Sequence, residues 1–343
     1  MTNTRQSVET SPAHSAMIDP KKTQLAKEYK HERPLTACHW SSDARYIFFG
    51  AEDNDVHRFE VATGQTTAFQ AHESWVRAMA SSPDGNQCFT GGYDGKLVWW
   101  NSTDSAPKPV RVVDAHKGWI RAIAVHPEGT MIASCGNDNA IRIWDAKNGV
   151  LMHELIGHDC HVYNASFTPD GSSIASCDLK ARVRLWNSST GQLVCELPVA
   201  EALYKYDKTF RADIGGARCI AFHPGGQQLA LGGITNVSNA FAGIGEVAVV
   251  LMNVGEKKVS EQFETKAKHR GCAWGIDWHP SEFWIGLSGG GGGGWLLFWK
   301  NGAKHEFFQM KLKSDGRGMS LSPDKSQVAV AHSDMHLRTY KLS

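Results

Sequence analysis

An all-β ring of seven four-stranded antiparallel sheets is predicted for this 343-residue chain, on three observations. One is a fixed ruler: His72, Pro83 and Trp100 repeat as His116, Pro127, Trp144 and as His158, Pro169, Trp186, with proline 11 and tryptophan 28 residues after histidine. Another is that weaker copies of the same ruler bring the count to seven, with a period of 41–44 residues where nothing is inserted. The third is the texture between marks, where short alternating runs such as VRAMA, KLVWW and AIRIWD are separated by PDG, PEG and NG, so the elements are strands joined by tight turns. Units of this length and texture are the four-stranded blades of a β-propeller.

The elements follow in order. Residues 1–20, MTNTRQSVETSPAHSAMIDP, are polar and lack the basic-then-apolar layout of a secretory signal, so a flexible tail is expected ahead of a propeller over 21–343. The strand-like KTQLAKEYK, 22–30, precedes the first histidine where every other unit has the fourth strand of the unit before it. Unit seven stops three residues after Tyr340 without a fourth strand, so the amino-terminal strand is expected to complete that blade and close the ring. Unit one has His31, Ser42 at the proline place and Phe59 at the tryptophan place. Units two to four are the three full copies. Unit five carries Asp213 at the histidine place, Pro224, and Met252 after an 11-residue insertion within GITNVSNAFAGIGE, 233–246. It is preceded by the long linker LPVAEALYKYDKTFRADIGG, 197–216, and loops of such length are often functional. Unit six has His269, Pro280 and a tryptophan two residues late, Trp299; unit seven has Leu312, Pro323 and Tyr340.

Unit six contains the run SGGGGGGWLLFW, 288–299. A phosphate-cradling loop would be followed by a helix N-terminus, usually with Lys-Ser/Thr, whereas WLLFWK is a strand. Gly293 falls where other units have Asp94, Asp138, Asp53 or Asp334, so the run is the turn between second and third strands with two residues added, and it is expected to be flexible.

With GH at 157–158, AH at 71–72 and 115–116, PDG turns and WD at 144–145, the chain resembles the WD-repeat (WD40) family over 21–343. The resemblance implies that His72, Thr90, Asp94, Trp100 and His116, Ser134, Asp138, Trp144 are structural tetrads that tie a blade together. Repetition supports this over a hydrolase triad, since catalysis needs one nucleophile and base beside an oxyanion site. Blade four keeps His158, Ser176 and Trp186 but has Lys180 at the aspartate place, and blade six has Gly293, so both are expected to be less tightly bound.

Five residues after each histidine place stand Thr36, Arg77, Arg121, Tyr163, Arg218, Trp274 and Arg317; three after it, Pro34, Trp75, Trp119, His161, Gly216, Cys272 and Asp315. Strand alternation sets both groups opposite the core residues Val76, Ile120 and Val162. The family's geometry implies that they ring the upper mouth of the central channel, where Arg77, Arg121, Tyr163, Arg218, Trp274, Arg317, Trp75 and Trp119 would take an acidic or phosphorylated peptide.

Composition bounds the rest. With 36 basic against 35 acidic residues there is no global pull toward nucleic acid or membrane, and no apolar run approaches the ~20 residues of a membrane helix. Eight cysteines without a C-x-x-C pair indicate neither a zinc site nor a disulfide framework and suit a reducing compartment. The reading is therefore a non-catalytic cytoplasmic scaffold for protein or peptide partners, without cofactor or metal, as a monomer or a subunit of a hetero-complex. The alternative is a ligand-binding or enzymatic propeller that uses its central channel.

Overall fold

The computed structural model describes residues 17–239 and 244–343. Seven four-stranded antiparallel sheets follow one another along the chain, spanning 35–69, 76–114, 120–155, 162–197, 219–263, 272–311 and 316–341 (blades one to seven). The last contributes only three strands, and Gln24–Lys30 supplies the fourth by pairing antiparallel with His336–Lys341. The closure is locked at its ends, with the Asp19 amide donating to the Ser343 carbonyl at 2.8 Å and the His31 amide to Met335 at 2.7 Å. No α-helix occurs among the described residues, and no helix there is long and apolar enough to cross a membrane.

Burial falls from the inside of each blade outward, and the sequence shows why. In blade two the third strand, Lys96–Asn101, buries Leu97, Val98, Trp99 and Trp100 on both faces, because neighbouring blades pack on either side. The innermost strand, Val76–Ser81, alternates buried Val76 and Ala78 with half-buried Arg77 and Met79, since one face meets the channel. The outer strand, Pro109–Asp114, is largely exposed. Apolar clusters fill every seam between adjacent blades; that between blades seven and one joins Ala329, Ala331 and Leu337 to Leu35, Ile47 and Phe49. Each cluster is a sheet-on-sheet core, and all seven must form for every sheet to bury both its faces.

The tight turn from first to second strand has its own lock. Ser41, Ser82, Thr168 and Ser322 donate their hydroxyls to Asp43, Asp84, Asp170 and Asp324 two residues on, at 2.5–2.6 Å. These local bonds pre-form the hairpin and fix its register.

Residues 197–216 differ from the expected loop. After the outer strand of blade four, Leu193–Leu197, a 3-10 turn at Glu201–Leu203 leads into an antiparallel hairpin, Tyr204–Asp207 against Ala212–Gly215. Asp213 therefore lies in an added hairpin and accepts from the Tyr204 hydroxyl at 2.7 Å, taking no part in a blade tetrad. The insertion of blade five extends its second and third strands, Gln228–Asn239 and Ile244–Asn253, beyond the sheet; residues 240–243, within the insertion, and residues 1–16 of the expected tail lie outside the described residues.

The glycine run is a turn between the strands Phe283–Gly289 and Trp295–Trp299, with a strand and no helix after it. Only Gly290 and Gly293 of the run Gly289–Gly294 have positive φ, +131° and +81°. Gly289, Gly292 and Gly294 answer a different demand: a Cβ there would lie 2.0 Å from the Gly316 carbonyl oxygen, 2.6 Å from that of Arg270 and 2.2 Å from that of Ser314. The run brings three stretches of backbone together.

Candidate functional site

The histidine networks bear on whether this molecule holds reactive groups. In blade two the Trp100 indole donates to Thr90 Oγ1 at 2.9 Å, Thr90 Oγ1 and His72 Nε2 are 2.8 Å apart, and His72 Nδ1 meets Asp94 Oδ2 at 3.1 Å. Blade three repeats this with Trp144, Ser134, His116 and Asp138 at 2.9, 2.7 and 2.8 Å. Each hydroxyl accepts from the indole, which leaves its proton for the imidazole, so it is held between two side chains and presented to no cavity. Burial raises the Asp94 carboxyl, but hydrogen bonds from His72 and the Glu73 amide outweigh it and leave the pKa below the ordinary value.

Blade four keeps a complete network despite Lys180 at the aspartate place. His158 Nδ1 meets Asp178 Oδ2 at 2.8 Å, its Nε2 lies 2.8 Å from Ser176 Oγ, and the Trp186 indole donates to the same oxygen at 2.9 Å. Both His158 and Asp178 side chains are 0% exposed. Asp178 occupies the position of Gly92 in blade two, where a Cβ would lie 2.3 Å from the Asp94 carboxylate and 2.5 Å from His72 Nδ1. Two backbone positions can thus deliver a carboxylate to one spot, and blade four uses the earlier one. In blade six His269 bonds instead to Gln309 Oε1 at 2.6 Å and stacks on Trp295.

The innermost strands of all seven blades line a central cavity of about 300 Å³. Into it point Arg77, Arg121, Tyr163, Arg218, Trp274 and Arg317. For five of them the direction is set by a feature that alternation does not show. The pairing of innermost with second strand slips by one residue at Thr36, Arg77, Arg121, Tyr163, Trp274 and Arg317, so each is the extra residue of a β-bulge. A bulge leaves its residue unpaired and re-aims the side chain, inward at all of these but Thr36, while Arg218 lines the cavity without a bulge.

These side chains form a connected aromatic and cationic rim. The Arg77 guanidinium lies 4.7 Å from the Trp274 ring centre, Arg121 is 4.7 Å from Trp119 and 4.6 Å from Tyr163, and Arg218 is 3.9 Å from Tyr163. Trp75 and Trp119 are 40% and 42% exposed, and Tyr93 joins them, stacked on Trp119 at 4.0 Å and 2° and tilted to Trp75 at 6.5 Å. The spacing from histidine does not single out Tyr93; it stands one residue before the turn aspartate, as do Asn137, which accepts from Arg121 Nε at 2.8 Å, and Glu52. Glu52 pairs with Arg317 at 2.6 Å, so Arg317 is neutralised. Thr36 turns away to the Val76 carbonyl, and His161 to the Asn137 carbonyl at 2.7 Å.

Arg77, Arg121 and Arg218 have no carboxylate partner among the described residues. Burial pushes the Arg121 guanidinium below its ordinary pKa; Tyr163 and Tyr93 pull it up, and the neighbouring charges of Arg218 and Arg77 push it further down. Beside this rim the two insertions meet: Lys205 Nζ donates to the Val237 carbonyl at 2.7 Å, and Ile214, Ile234, Val237, Cys272 and Trp274 form one apolar cluster. Tyr206 and Phe210 of the added hairpin stand exposed.

A comparison with curated protein sequences returned no match. The family model described as WD domain, G-beta repeat matches residues 64–101, 107–145 and 149–187. Each match takes in the outer strand of one blade and the first three strands of the next. The chain thus carries three WD40 repeats, set in a closed ring of seven four-stranded blades with the arrangement of a β-propeller.

Proposed function

We propose that the chain is a non-catalytic scaffold that takes an acidic or phosphorylated peptide segment across the upper mouth of its channel. WD40 propellers are generally protein-interaction scaffolds. The observation that carries the finer reading is the convergence of Arg77, Arg121 and Arg218 on one cavity without a carboxylate among the described residues to neutralise them. Three crowded guanidiniums are most stable with an anion between them, and their planar forks suit a carboxylate or phosphate. The stacked Tyr93 and Trp119, with Trp75 tilted beside them, offer an apolar shelf next to that charge, which favours a chain over a lone small anion. The eight free thiols, six of them buried, support a cytoplasmic setting.

The test is fluorescence anisotropy with a labelled oligoglutamate peptide and its phosphoserine-containing counterpart. Wild-type protein should bind both, more weakly as salt rises. Arg77→Glu with Arg121→Glu should cost at least ~100-fold, as expected for two charge-assisted contacts, with the melting temperature little changed. Equal binding by wild type and double variant refutes the reading. Inorganic phosphate competing as tightly as the peptide would move the function to a small ligand in the channel.

A further inference from the structure

Blade one departs from the repeat in a way that creates a different kind of site. Its hydroxyl place is Phe49 and its tryptophan place is Phe59, so His31 has no Ser or Thr for its Nε2. The ring instead turns Nε2 toward Asp53 Oδ2, at 2.8 Å. Four residues after the turn aspartate, where blades three and seven have Arg142 and Arg338 paired with Asp138 and Asp334, blade one has His57. Its Nε2 meets the same Asp53 oxygen at 3.0 Å. Two imidazoles and one carboxylate thus aim at a single point, with one ligand atom from each all within 4.8 Å of one another.

We propose that His31, Asp53 and His57 bind a divalent transition-metal ion, zinc being the best match. Neutral imidazole and carboxylate are zinc's usual nitrogen and oxygen ligands, bound at about 2.0–2.2 Å, which puts tetrahedral neighbours about 3.3 Å apart. The present nitrogen-to-oxygen separations therefore need to open by only a few tenths of an ångström. Each ring passes its proton from Nε2 to Nδ1 as the metal binds, a change of tautomer with no change of charge. The ligands are already oriented. Phe49 stacks on His57 at 5.0 Å and meets His31 edge-on at 5.4 Å, while Asp53 Oδ1 is held by the Asp55 amide at 3.1 Å, leaving Oδ2 for the metal. The histidine side chains are each 9% exposed and Asp53 27%, so the fourth position opens on the carboxylate side, toward water or a ligand atom from a partner. The other cluster of suitable groups among the described residues, Asp159, Cys160 and Asp178, is already committed: Asp178 to His158, Asp159 to Arg182 at 2.9 Å, and the Cys160 thiol pushed by burial up to about 11.

The test is calorimetric titration of untagged, metal-free protein with zinc sulfate, beside His57→Arg. That variant supplies the residue used in blades three and seven, so it keeps a partner for Asp53 while removing one metal ligand. One zinc per chain in the wild type, weakened more than ~100-fold in His57→Arg with an unchanged metal-free melting temperature, supports the site. No saturable uptake by the wild type, or uptake unaltered in His57→Arg, overturns it. If His57→Arg does not fold, cobalt substitution of the wild type decides: a four-coordinate visible spectrum without a thiolate-to-cobalt band supports the site, and a thiolate band or no such spectrum overturns it.

Discussion

The exchange of Asp94-type for Asp178-type carboxylates shows what a tetrad requires at the residue scale. His158 Nδ1 is fully buried and must find an acceptor, but the backbone offers two places from which one can come. Glycine at one place and aspartate at the other are complementary, because Gly92 leaves the room that Asp94 fills. Asp178→Gly should therefore cost about 2–3 kcal/mol in urea unfolding, the penalty for stranding a buried polar group. Adding Lys180→Asp should recover most of that loss by restoring the blade-two arrangement. A double variant as unstable as the single would show that the two places are not equivalent. The pair also sets an acid limit. Burial raises the Asp178 carboxyl, yet hydrogen bonds from His158 and the Arg182 amide hold its pKa below the ordinary value. A carboxylate depressed in the folded state contributes stability that is full above its unfolded pKa of about 3.9 and is lost as pH falls toward the folded one. Stability against pH should thus fall below about pH 4, and more gently in Asp178→Gly.

At the scale of the element, the glycine turn and the bulges divide what a sequence displays from what it conceals. That the run after Ser288 is a turn was readable, because a strand follows and the aspartate ruler lands on Gly293. Why three of its glycines are needed was not readable, because the atoms they avoid belong to Gly316, Arg270 and Ser314, distant in sequence or across a blade seam. The run sorts into positions that a Cβ would crowd and positions that it would not. Gly289→Ala, with a carbonyl oxygen 2.0 Å from the new Cβ, should destabilise by about 1–3 kcal/mol or more. Gly291→Ala, which meets nothing within 4 Å and has no positive φ, should lie within about 0.5 kcal/mol of wild type. Thermal unfolding of the two side by side checks this; equal losses would mean that the run acts through chain entropy alone. The bulges are hidden for a related reason. A bulge is a property of pairing between two strands, so W-x-R marks the position of Arg77 and Arg121 without showing that each is the unpaired residue. The added hairpin was not visible: residues 197–216 read as a long linker, and a broken histidine ruler drew Asp213 into a blade to which it does not belong.

At the scale of the molecule, the ring was legible because repetition multiplies weak signals. Blade five lacks both histidine and tryptophan marks, yet the seam clusters on its two sides, through Leu229 and Met252 to blade four and through Val249 to blade six, place it as firmly as its neighbours. A closed ring has no terminal blade to cap, so its stability turns on the one seam that covalent order does not enforce. That seam holds more than strand pairing. Tyr29 packs on Phe59 at 5.3 Å and Phe49 at 6.1 Å, Arg338 pairs with Asp334 at 2.8 Å and with Glu28, and Lys313 reaches Glu28 at 3.1 Å. The Glu28 carboxyl is accordingly held below its ordinary pKa, first by the Arg338 hydrogen bond and then by that of Lys313. Removing the strand leaves Arg338, a side chain only 3% exposed, with half its partners and bares the edge of His336–Lys341. A chain that starts at residue 32 should melt more than about 5 °C below one that starts at Met17, a loss of two or more kcal/mol at this size. It should also associate through the open edge, visible as concentration-dependent sedimentation. A peptide spanning residues 17–31, added in trans, should restore both properties, because the seam needs the strand and not its covalent link. An unchanged melting temperature in the shortened chain would place the ring's closure elsewhere.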